Sequence, residues 1–210
     1  MLVTEVELLD AMLESARGFT AGSEQARPRA LELGPDRLWE VLGARRTVLA
    51  FSGDELAVEV LSGLLVSSGL LPSASVAAAG PAAAIAVALS GRDRTGLYLA
   101  SGPNPDSWRW IGGQALVDEL HSEFMQAPVI VFCLGRAAVA EEYFSSLISA
   151  GATGYDLWLA AVAQGIGAHP YGRPSAQVGG ALAEVGRGDL RHLFTLALGW
   201  PDATEREENR

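Results

Sequence analysis

Apolar residues recur at helical spacing from the start of the chain: Val6, Leu9, Met12, Leu13 and Ala16 follow a Thr4 to Glu7 capping-box spacing and stop at Gly18. This predicts an amphipathic helix, then a loop from Thr20 to Pro28. Pro35 ahead of Leu38, Trp39, Val41 and Leu42 predicts a short helix ending near Gly43, which delivers Arg45-Arg46-Thr47 to a turn. Ser52-Gly-Asp-Glu55 repeats the capping-box spacing before Leu56, Val60, Leu61, Leu64 and Leu65, with Gly69 as the stop. The period then shortens. Ile85 to Leu89 reads as a buried strand, and Gly96 to Ala100 with Trp108 to Ile111 flanks Gly102-Pro-Asn-Pro-Asp106 as a hairpin.

Gln114 to Phe124 suits a helix and Val129 to Leu134 a fully buried strand. Glu141 to Ile148 and Tyr155 to Ala163 read as a pair of helices separated at Gly151-Ala-Thr-Gly154, and Leu193 to Gly199 as the last strand. The charged stretch from Asp202 to Arg210 reads as a solvated tail. Of the tryptophans, Trp39 and Trp158 are expected in the core. Trp108 and Trp110 alternate with Arg109 and are expected on one face of the hairpin, open to another subunit or protein.

With 210 residues, 49% of them hydrophobic and 19% charged, the chain suits one domain over 1–210 and is too apolar for disorder. Fifteen basic residues against 25 acidic ones give 15 − 25 = −10, with no basic stripe, so nucleic acid is not an expected partner. Every basic residue is Arg, which removes lysine-dependent chemistry. Cys133 is the single cysteine, so neither an intrachain disulfide nor a thiolate metal site is expected. His121 and His192 lack partners at metal-ligand spacing and read as surface or satisfied core residues. No apolar run reaches the ~18 residues of a membrane span, and no targeting segment is recognised, so a cytoplasmic protein without a membrane is the expectation.

Two segments remain that could carry chemistry. Arg45-Arg46-Thr47 could hold a phosphate dianion with two guanidinium forks and a hydroxyl, or be two solvated arginines in a loop. Gly165-Ile-Gly167-Ala-His-Pro-Tyr-Gly172 would let backbone approach a flat ligand closely. Together they resemble the nitroreductase-like flavin family, in which an arginine pair near the N-terminus grips FMN phosphate and a Gly-Leu-Gly stretch lies under the isoalloxazine. In order along the chain, Gly96-Leu-Tyr98, Ala127-Pro-Val-Ile-Val131, Glu142-Tyr143, Ala150-Gly151 and Leu159-Ala-Ala161 are similar to the azoline dehydrogenase branch, whose members oxidise thiazoline or oxazoline rings in ribosomally made peptides.

The resemblance covers about residues 40 to 200. It implies an α+β fold with a small, mainly antiparallel sheet wrapped by helices, FMN as cofactor, and a homodimer with interfacial flavin sites. Arg45, Arg46 and Thr47 would hold phosphate; Ser73, in Pro72-Ser73-Ala74-Ser75, would approach the flavin; Gly165, Gly167, His169 and Tyr171 would border the ring. The branch's Lys-Tyr pair falls on Ala138 and Val139, and Leu49 stands where the family often has another Arg. Tyr143 is therefore the expected proton-transfer residue, with an aromatic core role as its other reading, and Tyr155 and Asp156 lie nearby. The expected activity is dehydrogenation of an azoline peptide or a related small molecule. The alternative is a catalytically degenerate subunit acting as a binding or scaffolding partner in a modification complex.

Overall fold

The computed structural model describes residues 35–71, 84–92, 94–136 and 140–203. The first expected helix, Ser73, the Ala138-Val139 pair and the tail beyond residue 203 lie outside the described residues. Strands β1 (Ala84–Ser90), β2 (Thr95–Ala100), β3 (Arg109–Gly112), β4 (Val129–Arg136), β5 (Gly167–Tyr171) and β6 (Leu190–Gly199) form a sheet of order β3-β2-β1-β4-β6-β5. Each neighbouring pair is antiparallel. Register puts Val87 opposite Tyr98 on one side and Val131 on the other, with Val131 opposite Leu196.

Because successive side chains alternate across a strand, the sheet offers two apolar faces. Ile85, Val87, Val131, Cys133, Leu196 and Leu198 share one, packed under helices α2 (Val58–Ser67) and α4 (Ala140–Val162) through Leu61, Leu64, Leu157 and Ala161. Ala86, Ile130, Phe132, Leu134 and Ala197 share the other, covered by α3 (Gln114–Glu123) and α5 (Ala176–Glu184) through Val117, Leu120, Val178 and Leu182. Helix α1 (Pro35–Ala44) packs against α4 and buries Val41. Cys133 sits in the middle of β4, where burial pushes its thiol up to about 12, so it is an inert core residue. Among the described residues no helix is long and apolar enough to cross a membrane.

The strands of the hairpin, β1, β4, β6 and the helix after Pro35 lie where the hydrophobic pattern puts them. Three expectations are corrected. The spacing Ser52 to Glu55 is not a helix cap: α2 begins at Val58 with no side-chain cap, Ser52 Oγ donates to Asp54 at 3.0 Å, and the Glu55 carboxylate accepts the Arg92 N–H. A long-range partner in the β1–β2 turn has captured the carboxylate that would have closed the box.

Nor do the glycines at 151 and 154 break the helical run; α4 continues without interruption for 23 residues. A glycine costs a helix only about 1 kcal/mol, and packing on the sheet outweighs that. Gly154 lies against the Phe194 ring, which a Cβ would overlap, so the residue expected to break the helix is what lets it seat on β6.

Among the tryptophans, Trp158 is buried, but Trp39 is 73% exposed. The hairpin pair does not share a face. Trp108 is buried and donates from Nε1 to the Gly102 carbonyl at 2.8 Å, while Trp110 is exposed on edge strand β3 with its ring against Gly96. His121 and His192 are buried and satisfied, as expected of core histidines.

Candidate functional site

The turn after α1 is stitched to the far end of the chain. Thr47 forms a parallel bridge with Ala168 of β5, and the Val48 N–H donates to the Ala168 carbonyl at 3.0 Å. A few residues on, Phe51 bridges Pro201, the Ser52 N–H donates to the Trp200 carbonyl at 2.7 Å, and the Asp202 N–H donates to the Ala50 carbonyl at 3.2 Å. The two motifs that carry the resemblance, more than a hundred residues apart in sequence, are therefore neighbours in space.

Glycine explains some of this closeness. Helix α4 ends in a Schellman turn: Ile166 N–H donates to the Ala161 carbonyl and Gly165 N–H to the Val162 carbonyl, each at 3.0 Å, with Gly165 at φ +73°. That reversal aims β5 at the arginine turn. A Cβ on Gly167 would stand 2.8 Å from Val48 Cγ2 and 3.0 Å from Pro201 Cγ, so only glycine admits the turn this close to the sheet edge. Both glycines thus have work within the fold.

Arg45 lies over two aromatic rings of α4, its guanidinium carbon 4.8 Å from the centre of Trp158 and 5.3 Å from that of Tyr155. The rings meet edge to face at 6.2 Å, as residues three apart on one helix face can. A guanidinium stacked on rings keeps its in-plane N–H forks for an acceptor, and Arg45 has no carboxylate among the described residues. Beneath it the Trp158 Nε1–H is buried without a partner among the described residues. The exposed Arg45 fork, beside Arg46 and the exposed Thr47, suits an oxyanion such as phosphate. The tryptophan seat was missed in the sequence, where Trp158 reads only as core.

His169 and Tyr171 project from the same face of β5 and stack, ring centres 4.4 Å apart and 20° from parallel. His169 Nδ1 lies 3.0 Å from the Val48 carbonyl, and the Tyr171 hydroxyl donates to the Phe124 carbonyl at 3.2 Å. Burial pushes the Tyr171 phenol up, opposed by the Arg173 cation, whose guanidinium lies 5.2 Å from the centre of the Phe124 ring. The Tyr171 phenol is therefore not a base at neutral pH.

Tyr143 is elsewhere. It lies twelve residues before Tyr155 on α4, about 18 Å along the helix axis. There it joins Phe144, Leu147 and Ile148 in an exposed apolar ridge, with the Phe144 ring 5.9 Å away. Leu49 is 71% exposed beside the arginine turn. An open groove of about 470 Å³ lies on the other side of the sheet, walled by Asp118, Glu119, Ser122, Glu123 and Gln177, and its three carboxylates repel an anion. No group of acids, histidines or cysteine among the described residues is arranged to hold a metal.

No family model matches the chain, and no curated protein matches it. Solved structures do. A protein of Ralstonia eutropha assigned to the nitroreductases shares 18% identity over 85% of this chain and 88% of its own, with a TM-score of 0.57. The chain has a nitroreductase fold. A second such protein, from Anabaena variabilis, is 22% identical with a TM-score of 0.58, over 79% of this chain and 38% of its own. A third, from Desulfovibrio desulfuricans and in complex with FMN, is 17% identical with a TM-score of 0.54, over 80% and 87%. On this nitroreductase fold, the arginine turn and the Gly165 to Tyr171 segment meet at the β5 edge of the sheet.

Proposed function

We propose that this chain is an FMN-dependent oxidoreductase whose flavin phosphate is held by Arg45, Arg46 and Thr47 and whose flavin ring is bordered by the Gly165 to Tyr171 segment. The observation that carries this reading is the seating of the arginine turn on β5, with the Arg45 guanidinium stacked on Tyr155 and Trp158 and its donors able to turn to a dianion. The FMN in the Desulfovibrio desulfuricans neighbour supports it. Ser73, outside the described residues, completes the proposed contacts.

FMN supplies two-electron chemistry, accepting a hydride from an oxidisable carbon and passing the electrons to a second acceptor such as oxygen. The chain's task is to hold the phosphate with paired charge-assisted bonds and to bring β5 backbone against the ring through Gly165 and Gly167. The substrate class we infer, from the order of motifs similar to azoline dehydrogenases, is an azoline-bearing peptide. Its proton must pass to water or to a residue other than Lys, since the chain has none. Incubating the FMN-loaded protein with a thiazoline peptide without oxygen should bleach the flavin absorption and yield the thiazole. A loaded protein that no azoline peptide reduces would favour the second reading, a binding subunit of a modification complex, which the exposed Leu49 in place of a further arginine supports.

We also propose a homodimer. Tyr143, Phe144, Leu147 and Ile148 on α4, with Trp39 on α1, expose more large apolar side chains than a monomer ordinarily leaves in water. Light scattering at micromolar concentration should report two chains, and Phe144→Asp with Leu147→Glu should shift the mass to one. A monomeric parent that still binds flavin would contradict the assignment.

A further inference from the structure

Val48 is held at both of its backbone groups. Its N–H donates to the Ala168 carbonyl, and its carbonyl faces His169 Nδ1 at 3.0 Å. A carbonyl only accepts, so Nδ1 carries the proton and donates, in the neutral ring and in the imidazolium alike. The ring is fixed from its other side by the stack on Tyr171, whose hydroxyl is tied to the Phe124 carbonyl. A rigid path therefore runs from the end of α3 through Tyr171 and His169 to Val48, the residue directly after the Arg45-Arg46-Thr47 turn. It crosses 121 residues of sequence and reaches the arginine turn from the sheet, not from α1.

We propose that His169 is a positioning residue for phosphate recognition, fixing the arginine turn through the Val48 carbonyl so that the chain prefers flavins carrying a phosphate to those without one. The proposal rests on the FMN reading above and adds what sets the turn's aim. It gives His169 a different task from bordering the ring: loss of the ring contact would weaken any flavin, whereas loss of the tether weakens only the phosphorylated one.

The test is a pair of fluorescence titrations, with FMN and with riboflavin, on the whole chain and its variants. The parent binds FMN more tightly than riboflavin. His169→Leu lowers the FMN affinity by about tenfold, the worth of one hydrogen bond, and leaves the riboflavin affinity where it was. His169→Asn, whose side-chain amide can donate from nearly the same place, restores most of the preference. His169→Phe, which keeps a flat ring against Tyr171 but has no donor for the Val48 carbonyl, provides a second variant and should cause the same selective loss, so a misfolded His169→Leu would not end the test. Equal weakening of both flavins, or an unchanged ratio, overturns the positioning role. A parent that does not distinguish FMN from riboflavin overturns the phosphate assignment itself, a separate result.

Discussion

Replacing Arg45 and Arg46 together by alanine should weaken FMN binding by about 10²–10⁴-fold. A hydrogen bond to a charged group contributes roughly 1.5–3 kcal/mol, and two arginines facing one phosphate would lose about 3–6 kcal/mol, at about 1.4 kcal/mol for each factor of ten. The loss should leave the fold intact, because backbone bonds from Val48 and Ser52 seat the turn even without the packing of Arg45 on Tyr155 and Trp158. Arg45→Lys should not rescue it fully, since a point charge neither stacks on Trp158 as a plane nor offers two parallel donors. Isothermal titration with FMN measures the effect; a double variant that binds as tightly as the parent removes the phosphate role.

Acid should destabilise the protein well before its carboxylates titrate. His192 is buried on β6, accepts the Ser175 N–H at Nδ1 at 2.8 Å and therefore carries its proton on Nε2, 2.6 Å from Thr195 Oγ1. Phe132 and Phe124 close around the ring edge to face. Burial first, opposed by a hydrogen bond with the Phe194 backbone, holds its pKa at about 4 instead of the usual 6.5. The unfolded chain thus binds a proton that the folded chain refuses. Stability is full above pH 6.5 and declines as pH falls towards 4, by about 3 kcal/mol in all and by about 2 kcal/mol at pH 5. Urea unfolding between pH 7 and 5 tests this. His192→Gln should be less stable at pH 7 but flatter across that range; an unchanged slope would place the acid sensitivity elsewhere.

What the sequence conveyed depended on how local its cause was. Runs such as Val129 to Leu134 announce a strand buried on both faces, and β4 lies there with helices over each side. Glycine was harder to read, because the same residue serves opposite ends. Gly165 ends α4 by its positive φ, whereas Gly154 continues α4 by making room for Phe194, and only the tertiary contact separates them. The Ser52 to Glu55 spacing failed for a related reason: a carboxylate takes whichever N–H the fold brings, here that of Arg92. Helix α5 went unread, its pattern thinned by Gly179 and Gly180, though Ser175 caps its first turn by accepting the Val178 N–H.

At the site, the pairing of the arginine turn with the Gly165 to Tyr171 segment was legible as a resemblance, and the bridge between Thr47 and Ala168 gives it a physical form. The aromatic seat of Arg45 was not legible, because Tyr155 and Trp158 at a spacing of three residues look the same whether they face a core or a cation. Nor was the exposed ridge: Tyr143 and Phe144 follow a helical apolar pattern that reads as buried until the sheet and the other helices leave that face uncovered. Leu49, exposed beside the arginine turn, leaves the proposed phosphate site with one fewer cation than the family often has.

The central claim, that this nitroreductase fold holds FMN, is tested most directly by the visible absorption spectrum of the purified chain during titration with FMN. The account predicts saturation at one flavin per chain, with the flavin bands shifted and resolved as the ring leaves water. A spectrum that remains that of free FMN at every ratio would contradict it.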